Sequence, residues 1–222
     1  ANIWAMRSIG VRWIIAPSAV GSLQKQIRPL DIVIPDQFID RTHHRPATFF
    51  NEGVVAHVMM GDPFCKNLSD LVSDVGEKYI PGGRQLHRGG TYLAMEGPAF
   101  STRAESNLYR QWGCSIIGMT NHTEARLARE AEIAYTSLSM VTDYDCWNNT
   151  NEEVSVEMII KNLNINTKVA NKVILETAKL IEKERPKSKA HHSLRDGLMT
   201  SKDRASQEAK SKVKIFTDNY WL

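Results

Sequence analysis

The sequence has few cysteines and no long apolar segment, and both shortages exclude classes of protein. Its 222 residues include three cysteines, Cys65, Cys114 and Cys146, which lie far apart. An odd number at these spacings fits neither a disulfide framework nor a zinc or dithiol redox motif. No apolar run approaches the roughly 20 residues of a transmembrane helix. We therefore expect free thiols in a reducing compartment and no membrane partner.

The sequence also has little excess charge. Its formal net charge is +3, and Lys and Arg are concentrated in residues 179–214. Proteins that bind single-stranded nucleic acid interleave such charges with aromatic side chains on which bases stack, and this segment has none. We interpret it as a solvated helix surface and expect no nucleic-acid partner.

Length and composition predict one domain covering residues 1–222. The chain is long enough to bury a substantial core, and its 42% apolar and 24% charged content is ordinary for a globular protein. It opens at Ala1 without Met and already in a helical pattern, so we expect that an N-terminal portion of the fold is missing. Residues 187–200 look loosely structured.

The central stretch alternates strand-like and helix-like segments. This alternation predicts an α/β fold with a largely parallel sheet, whose ligands bind beyond the carboxyl ends of the strands. Asn121 and Glu124 have the spacing of a capping box at the start of a helix. The predicted strands are Thr91–Met95, Ser115–Gly118 and Ala134–Val141, and helices are predicted at Ser101–Gln111 and Thr123–Ala131.

An earlier segment predicts an anion-binding turn. A short strand, Trp13–Ala16, leads into small residues at Pro17–Ser22, whose N–H groups and hydroxyls could face an anion. The remaining predicted elements are strands at Asp31–Ile34 and Asp36–Asp40, a helix at Lys66–Tyr79, a long helix from near Ser155 to Pro186, and a final helix from near Lys202.

The side chains at the predicted strand ends suit a nucleoside better than a metal ion. They offer an aromatic ring, hydroxyls, a thioether and two carboxylates. An isolated Asp143-Tyr144-Asp145 would also fit an acidic solvent loop or a D-x-D metal motif. His43 and His44 are adjacent and would point to opposite faces of a strand, so we expect surface residues and no metal site.

Three ordered motifs make the sequence similar to a known family. They are E-G-P-A-F-S-T-R-A-E-S from Glu96, G-M-T-N-H-T-E-A from Gly118 and T-D-Y-D-C-W from Thr142. The sequence resembles the trimeric purine nucleoside phosphorylase superfamily, and within it the methylthioadenosine phosphorylases. Residues 187–222 match this family only weakly. The resemblance implies phosphorolysis of S-methyl-5′-thioadenosine to adenine and a ribose-1-phosphate analogue, in purine and methionine salvage. It also implies a barrel-like mixed sheet, no metal or organic cofactor, inorganic phosphate as co-substrate, and a homotrimer. The implied location is cytoplasmic, with a nuclear one left open.

The same resemblance implies the role of each candidate site residue. Asp143 would donate to purine N7 when protonated, and burial beside Asp145 would raise its pKa in that direction. Asp145 would accept from the adenine amine. The superfamily members that use 6-oxopurines have Asn and Glu where this chain has Asp143 and Ser101, which favours a 6-aminopurine. The other implied contacts are Phe100 on the base, Met119 under the ribose, Ser18, Ala19 and Thr120 on phosphate, Val156, Ile159 and Ile160 around the 5′-methylthio group, and His57 from a neighbouring subunit.

Other interpretations remain open from the residues alone. Phe100, Val156, Ile159 and Ile160 have spacings that also fit a core, and a lone His57 also fits a structural role. Family members have a glycine-rich turn and an Arg-His pair that hold phosphate, and nothing in residues 1–222 matches them. Alternatives are therefore a non-catalytic purine-binding or assembly subunit, a broader purine nucleoside phosphorylase, and a hydrolytic nucleosidase. Ser18 and Thr120 count against the last.

Overall fold

The computed structural model describes residues 1–148 and 156–221, with only the main chain of Val156. Within these residues, no helix is long and apolar enough to cross a membrane. Short 3₁₀ turns occur at Lys189–His192 and Lys202–Arg204. The helices are α1 (Asn2–Ser8), α2 (Lys66–Tyr79), α3 (Arg103–Gln111), α4 (Asn121–Glu130), α5 (Val156–Glu184) and α6 (Gln207–Thr217), and the strands are β1 (Trp13–Ser22), β2 (Ile32–Ile34), β3 (Gln37–Arg41), β4 (Leu86–Arg88), β5 (Thr91–Met95), β6 (Ile116–Gly118) and β7 (Ala134–Tyr144).

The strands form one mixed sheet in the order β3-β5-β6-β1-β7-β2-β4. The pairs β1–β7, β2–β4, β3–β5 and β5–β6 are parallel, as the alternation of strands and helices predicts. The pairs β1–β6 and β2–β7 are antiparallel. These two pairings join strands distant in sequence, and neither follows from local pattern. The predicted mixed α/β class is confirmed.

The sheet curls around its own apolar interior. One buried cluster consists almost entirely of strand residues: Val20, Val33, Tyr92, Ala94, Ile116 and Val141, with Ile27 from a loop. The outer surface is covered by helices, because α2 and α5 pack on β2 and β7 while the Tyr109 side of α3 packs on β5 and β6. The result is the curled half-barrel that the resemblance implies.

The helices agree with the sequence patterns except at their caps and at α6, which begins at Gln207 and not near Lys202. Helix α2 has the predicted bounds, and α5 ends just before Pro186. The capping box predicted at Asn121 and Glu124 is wrong, because α4 already includes Asn121 and its N-cap has no side-chain hydrogen bond. The capping box belongs to α3, where the Thr102 and Glu105 side chains each accept from the other's main-chain N–H.

The strands differ more from expectation. The turn predicted at Pro17–Ser22 is wrong, since β1 continues through these residues in parallel register with β7. Small residues are compatible with a turn or a strand, and the long partner strand decides the outcome here. Strand β7 is also longer than predicted, and β4 was not predicted.

The C-terminal segment packs against the loop before α2. The Phe216 ring of α6 stacks on Phe49 with centroids 4.7 Å apart. Ala56 forms an isolated β-bridge with Leu198, and the His57 N–H donates to the Gly197 carbonyl at 2.7 Å. Residues after Pro186 therefore hold the loop that carries His57. The three cysteines are free thiols, and His43 and His44 are exposed, as predicted.

Candidate active site

The site begins in the middle of β1, beside the end of β6. Because β6 is antiparallel to β1 with Gly21 opposite Ile117, the residues after β6 lie beside the earlier part of β1. Thr120 thereby reaches Ser18, and the two side-chain oxygens are 3.4 Å apart. Ser18 is buried and Ala19 is exposed. Because a methyl side chain forms no hydrogen bonds, Ala19 could contact an anion only through its main chain. Ser18 and Thr120, both predicted to bind phosphate, are thus brought together by the β1–β6 pairing, which the sequence did not predict.

Tyr92 adds a third hydroxyl that sequence reasoning missed. It is fully buried on β5, and its Oη lies 3.5 Å from Ser18 Oγ and 3.5 Å from the main-chain nitrogen of Thr120. A Cβ at Gly118 would lie 2.0 Å from that oxygen, so the glycine makes room for the phenol. The only sequence signal was a tyrosine within a strand, which is equally typical of an ordinary core.

The two carboxylates lie further along β1, where β7 has a bulge. The β1–β7 register shifts after Val20, so Thr142 has no partner on β1 and Asp143 lies opposite Gly21. A bulge of this kind redirects side chains and is common beside active sites. A Cβ at Gly21 would lie 3.2 Å from Asp143 Oδ1. The Thr142 hydroxyl donates to Asp143 Oδ2 at 2.6 Å.

Burial shifts the protonation equilibrium of the Asp143 carboxyl group. Asp143 and Asp145 are each 8% exposed. Burial, which is the main cause, raises the pKa of Asp143 to about 6; the Thr142 hydrogen bond opposes the rise and the charge of Asp145 adds to it. The Ser101 hydroxyl donates to Asp145 Oδ2 at 3.1 Å. The structure thus brings together three of the four residues predicted to contact the purine, Asp143, Asp145 and Ser101.

Helix α5 fixes the end of β7. Asn162 Nδ2 donates to the Thr142 carbonyl at 2.7 Å, and Asn166 Nδ2 donates to the Val141 carbonyl at 3.0 Å. Both bonds hold main-chain groups at the bulge that positions Asp143. Sequence reasoning treated α5 only as a source of apolar residues and missed both amides.

Arg45 joins two loops that carry predicted site residues. Its Nη1 donates to the Met119 carbonyl at 2.6 Å, and its Nε lies 3.0 Å from Glu96 Oε1. On the other side, a Cβ at Gly97 would lie 2.6 Å from the Met119 sulfur. The Met119 thioether therefore packs against the turn after β5.

The remaining predicted residues lie at the rim or elsewhere. Phe100 is 69% exposed and Ile160 is 51% exposed, which excludes a core role for both, whereas Ile159 is partly buried. The prediction for the Val156 side chain falls outside the described residues. His57 is exposed and lines a separate cavity of about 1010 Å³ that none of the other predicted site residues lines. The fold of one chain therefore does not bring His57 to the carboxylates.

Residues 1–179 match the family model described as the phosphorylase superfamily. The S-methyl-5′-thioadenosine phosphorylase of Prochlorococcus marinus is 66% identical over 100% of this chain and 70% of its own length. The enzyme of the same name from Thermosynechococcus vestitus is 51% identical over 99% of this chain and 76% of its own.

Solved structures show the same architecture. A methylthioadenosine phosphorylase from an antarctic soil metagenomic library superposes with a TM-score of 0.93 at 48% identity, covering 97% of this chain and 75% of that one. The methylthioadenosine phosphorylase of Schistosoma mansoni, in complex with adenine, superposes with a TM-score of 0.78 at 32% identity, covering 83% and 71%. In the residues that the structure describes, no three His, Cys, Asp or Glu side chains group closely enough to hold a metal ion.

Proposed function

Because this chain belongs to the phosphorylase superfamily, we propose that its site cleaves S-methyl-5′-thioadenosine with phosphate, giving adenine and 5-methylthioribose 1-phosphate. The reaction is a pentosyl transfer in purine and methionine salvage. Curated relatives of that name are 46–66% identical over essentially the whole chain, which does not favour the alternative of a non-catalytic subunit. The observation that carries the proposal is the arrangement along β1, with hydroxyls at Ser18 and buried carboxyls beside Gly21.

This arrangement separates the two reacting partners. Residues 18 and 21 of a strand are about 10 Å apart. This distance leaves room for the ribose between the base, bound near Gly21, and the phosphate, bound near Ser18. A phosphate oxygen at Ser18 and Thr120 forms the bond to the anomeric carbon as the glycosidic bond to the purine breaks. The electron pair of that bond goes to the purine, and Asp143 supplies a proton to N7. Asp145, oriented by Ser101, accepts from the exocyclic amine.

Thr120→Ala tests the phosphate half of the site. A hydrogen bond to a charged group contributes about 1.5–3 kcal/mol, so we expect the phosphate KM to rise roughly 10-fold or more. The nucleoside KM should change much less. Initial rates at varied phosphate and fixed methylthioadenosine measure this. Thr167→Ala is the control, because that hydroxyl bonds to the Leu163 carbonyl of its own helix. An unchanged phosphate KM would remove Thr120 from the site.

Ile160→Asp tests the pocket for the 5′-methylthio group. Ile160 is half exposed near the start of α5, so the fold should tolerate a carboxylate there. Turnover of methylthioadenosine should fall steeply, because a charged group next to the thioether is poorly solvated, whereas adenosine turnover should fall less. Leu175→Asp, at an exposed position of the same helix, is the matched control. Equal losses on both substrates would contradict the pocket assignment.

His57 is proposed to act in the site of a neighbouring subunit of a homotrimer, because its own chain places it in a different cavity. Mixing and refolding His57→Ala with Asp143→Ala should then restore activity, since about a quarter of the sites in randomly mixed trimers combine an intact His57 with an intact Asp143. Each variant refolded alone is the control. Absence of restored activity in mixed oligomers would place His57 outside the site.

The remaining features of the proposal follow the same resemblance. Phosphate acts as co-substrate, and neither a metal nor an organic cofactor takes part. A cytoplasmic location is proposed, with the nucleus as the alternative. Phe100 at the rim is proposed to cover the base, since an aromatic face buries well against a purine.

A further inference from the structure

Asn121 lies directly behind the hydroxyl cluster and has an unusual set of contacts. Its side chain is fully buried at the start of α4. The Oδ1 position is 3.3 Å from Thr120 Oγ1 and 3.2 Å from the Tyr135 hydroxyl. The Nδ2 position is buried and has no hydrogen-bond partner among the described side chains and main chain. A buried amide NH₂ left without an acceptor is costly, so this orientation needs a reason.

The hydrogen bond that Tyr135 donates shows which orientation of the Asn121 amide gives acceptors to its two N–H groups. A phenol has one proton, and the Tyr135 hydroxyl lies 2.7 Å from Glu124 Oε2, closer than its 3.2 Å approach to Asn121. Burial and the nearby Glu124 charge hold the pKa of Tyr135 well above its usual value, so this proton stays on the phenol. A carboxylate is the stronger acceptor, so the Tyr135 hydroxyl donates its hydrogen bond to Glu124. The phenol oxygen then faces Asn121 as an acceptor.

Rotating the Asn121 amide by 180° meets this requirement, because its nitrogen and oxygen have nearly the same shape. Nδ2 then donates one hydrogen to Tyr135 Oη and the other to Thr120 Oγ1. The carbonyl oxygen occupies the unpartnered position, which costs less than leaving an NH₂ there. With Asn121 donating to it, the Thr120 oxygen cannot use its own proton toward Asn121. That proton is directed to the Ser18 side, where the anion is proposed to bind.

We propose that Asn121 is a positioning residue for phosphate: held by Tyr135 and Glu124, it donates to Thr120 and so directs the Thr120 hydroxyl proton to the anion. This inference rests on the proposed function, in which Thr120 contacts phosphate. Asn121 itself does not touch the substrate. Its effect should therefore appear in the phosphate KM and should depend on the presence of the Thr120 hydroxyl.

Two substitutions of Asn121 in the full-length enzyme test the inference. The side chain of Asn121→Asp has the same shape but can only accept hydrogen bonds, so the Thr120 hydroxyl would donate to it and not to phosphate. The phosphate KM should therefore rise roughly 10-fold or more. Asn121→Ala removes the donor without adding charge, and we expect a smaller rise, about 3-fold, because the hydroxyl becomes free to rotate. The methylthioadenosine KM should stay within about 2-fold in both. Asn171→Asp, exposed on α5, is the control for an added charge.

The decisive measurement repeats Asn121→Ala in the Thr120→Ala background. If Asn121 acts through the Thr120 hydroxyl, the second substitution adds no further rise in phosphate KM. A further rise equal to that of the single variant overturns the inference, as does a normal phosphate KM in Asn121→Asp. These results differ from failure of the proposed function, in which Thr120→Ala alone leaves the phosphate KM unchanged. Thermal melting of each variant identifies any that do not fold, and the mildest substitution, Asn121→Ala, then carries the test.

Discussion

Asp143→Ala is expected to lower kcat for methylthioadenosine by about 10²–10³, the usual cost of removing one hydrogen bond to charge that develops in a transition state. The nucleoside KM should change much less, because N7 becomes electron-rich only as the glycosidic bond breaks. Steady-state kinetics with saturating phosphate measure both constants. Near-normal kcat in this variant would mean that the carboxyl group is structural and that the mechanism proposed above is wrong.

The pH dependence provides the control for this experiment. Burial raises the pKa of Asp143 to about 6, and the form that donates to N7 is the protonated one. Protonation is complete well below that pKa and is lost as pH rises through it. The value of kcat/KM, which reports on the free enzyme, should therefore decline above about pH 6. Asp143→Asn donates without titrating, so its profile should lack this decline.

Local sequence was sufficient to predict many elements of the fold but not their pairing. Helix α2 and strand β5 have the predicted bounds, because periodicity and flanking turn residues are local properties. The antiparallel pairing of β6 with β1 depends on residues about a hundred positions apart. The sequence alone therefore did not predict this pairing, nor the extension of β1 past Ala16. The site depends on that pairing, since it brings Thr120 to Ser18.

The site was predicted in part for the same reason. Asp143 and Asp145 belong to one contiguous motif, and the resemblance that this motif carries implies their burial. Tyr92 and Arg45 were missed, because each acts across strands on residues remote in sequence. The bulge at Thr142 was missed as well, since a one-residue shift in register leaves no mark on the pattern of a fully buried strand.

Asp143→Asn combined with Ser101→Glu is expected to shift preference from methylthioadenosine toward inosine. An amide can donate to N7 or O6 without being protonated, and a carboxylate at position 101 can accept from N1–H of a 6-oxopurine. Each mismatched hydrogen bond at a buried base costs about 1–3 kcal/mol, or roughly 5- to 150-fold in kcat/KM. The measured quantity is the ratio of kcat/KM for the two substrates.

Asp145 determines whether the double variant suffices. The Ser101 hydroxyl donates to Asp145 at 3.1 Å, so Ser101→Glu would put two carboxylates side by side, and one of them would take up a proton. The Asp145 carboxylate can also accept a hydrogen bond from the 6-amino group of adenine, but it would repel O6 of a 6-oxopurine. Adding Asp145→Ala removes both conflicts, so the triple variant should favour inosine more strongly than the double variant. Asp145→Ala alone is the control. It should lower kcat/KM for methylthioadenosine without raising kcat/KM for inosine. If all three variants lower kcat/KM for both substrates by the same factor, these side chains do not discriminate between substituents at the 6-position of the purine.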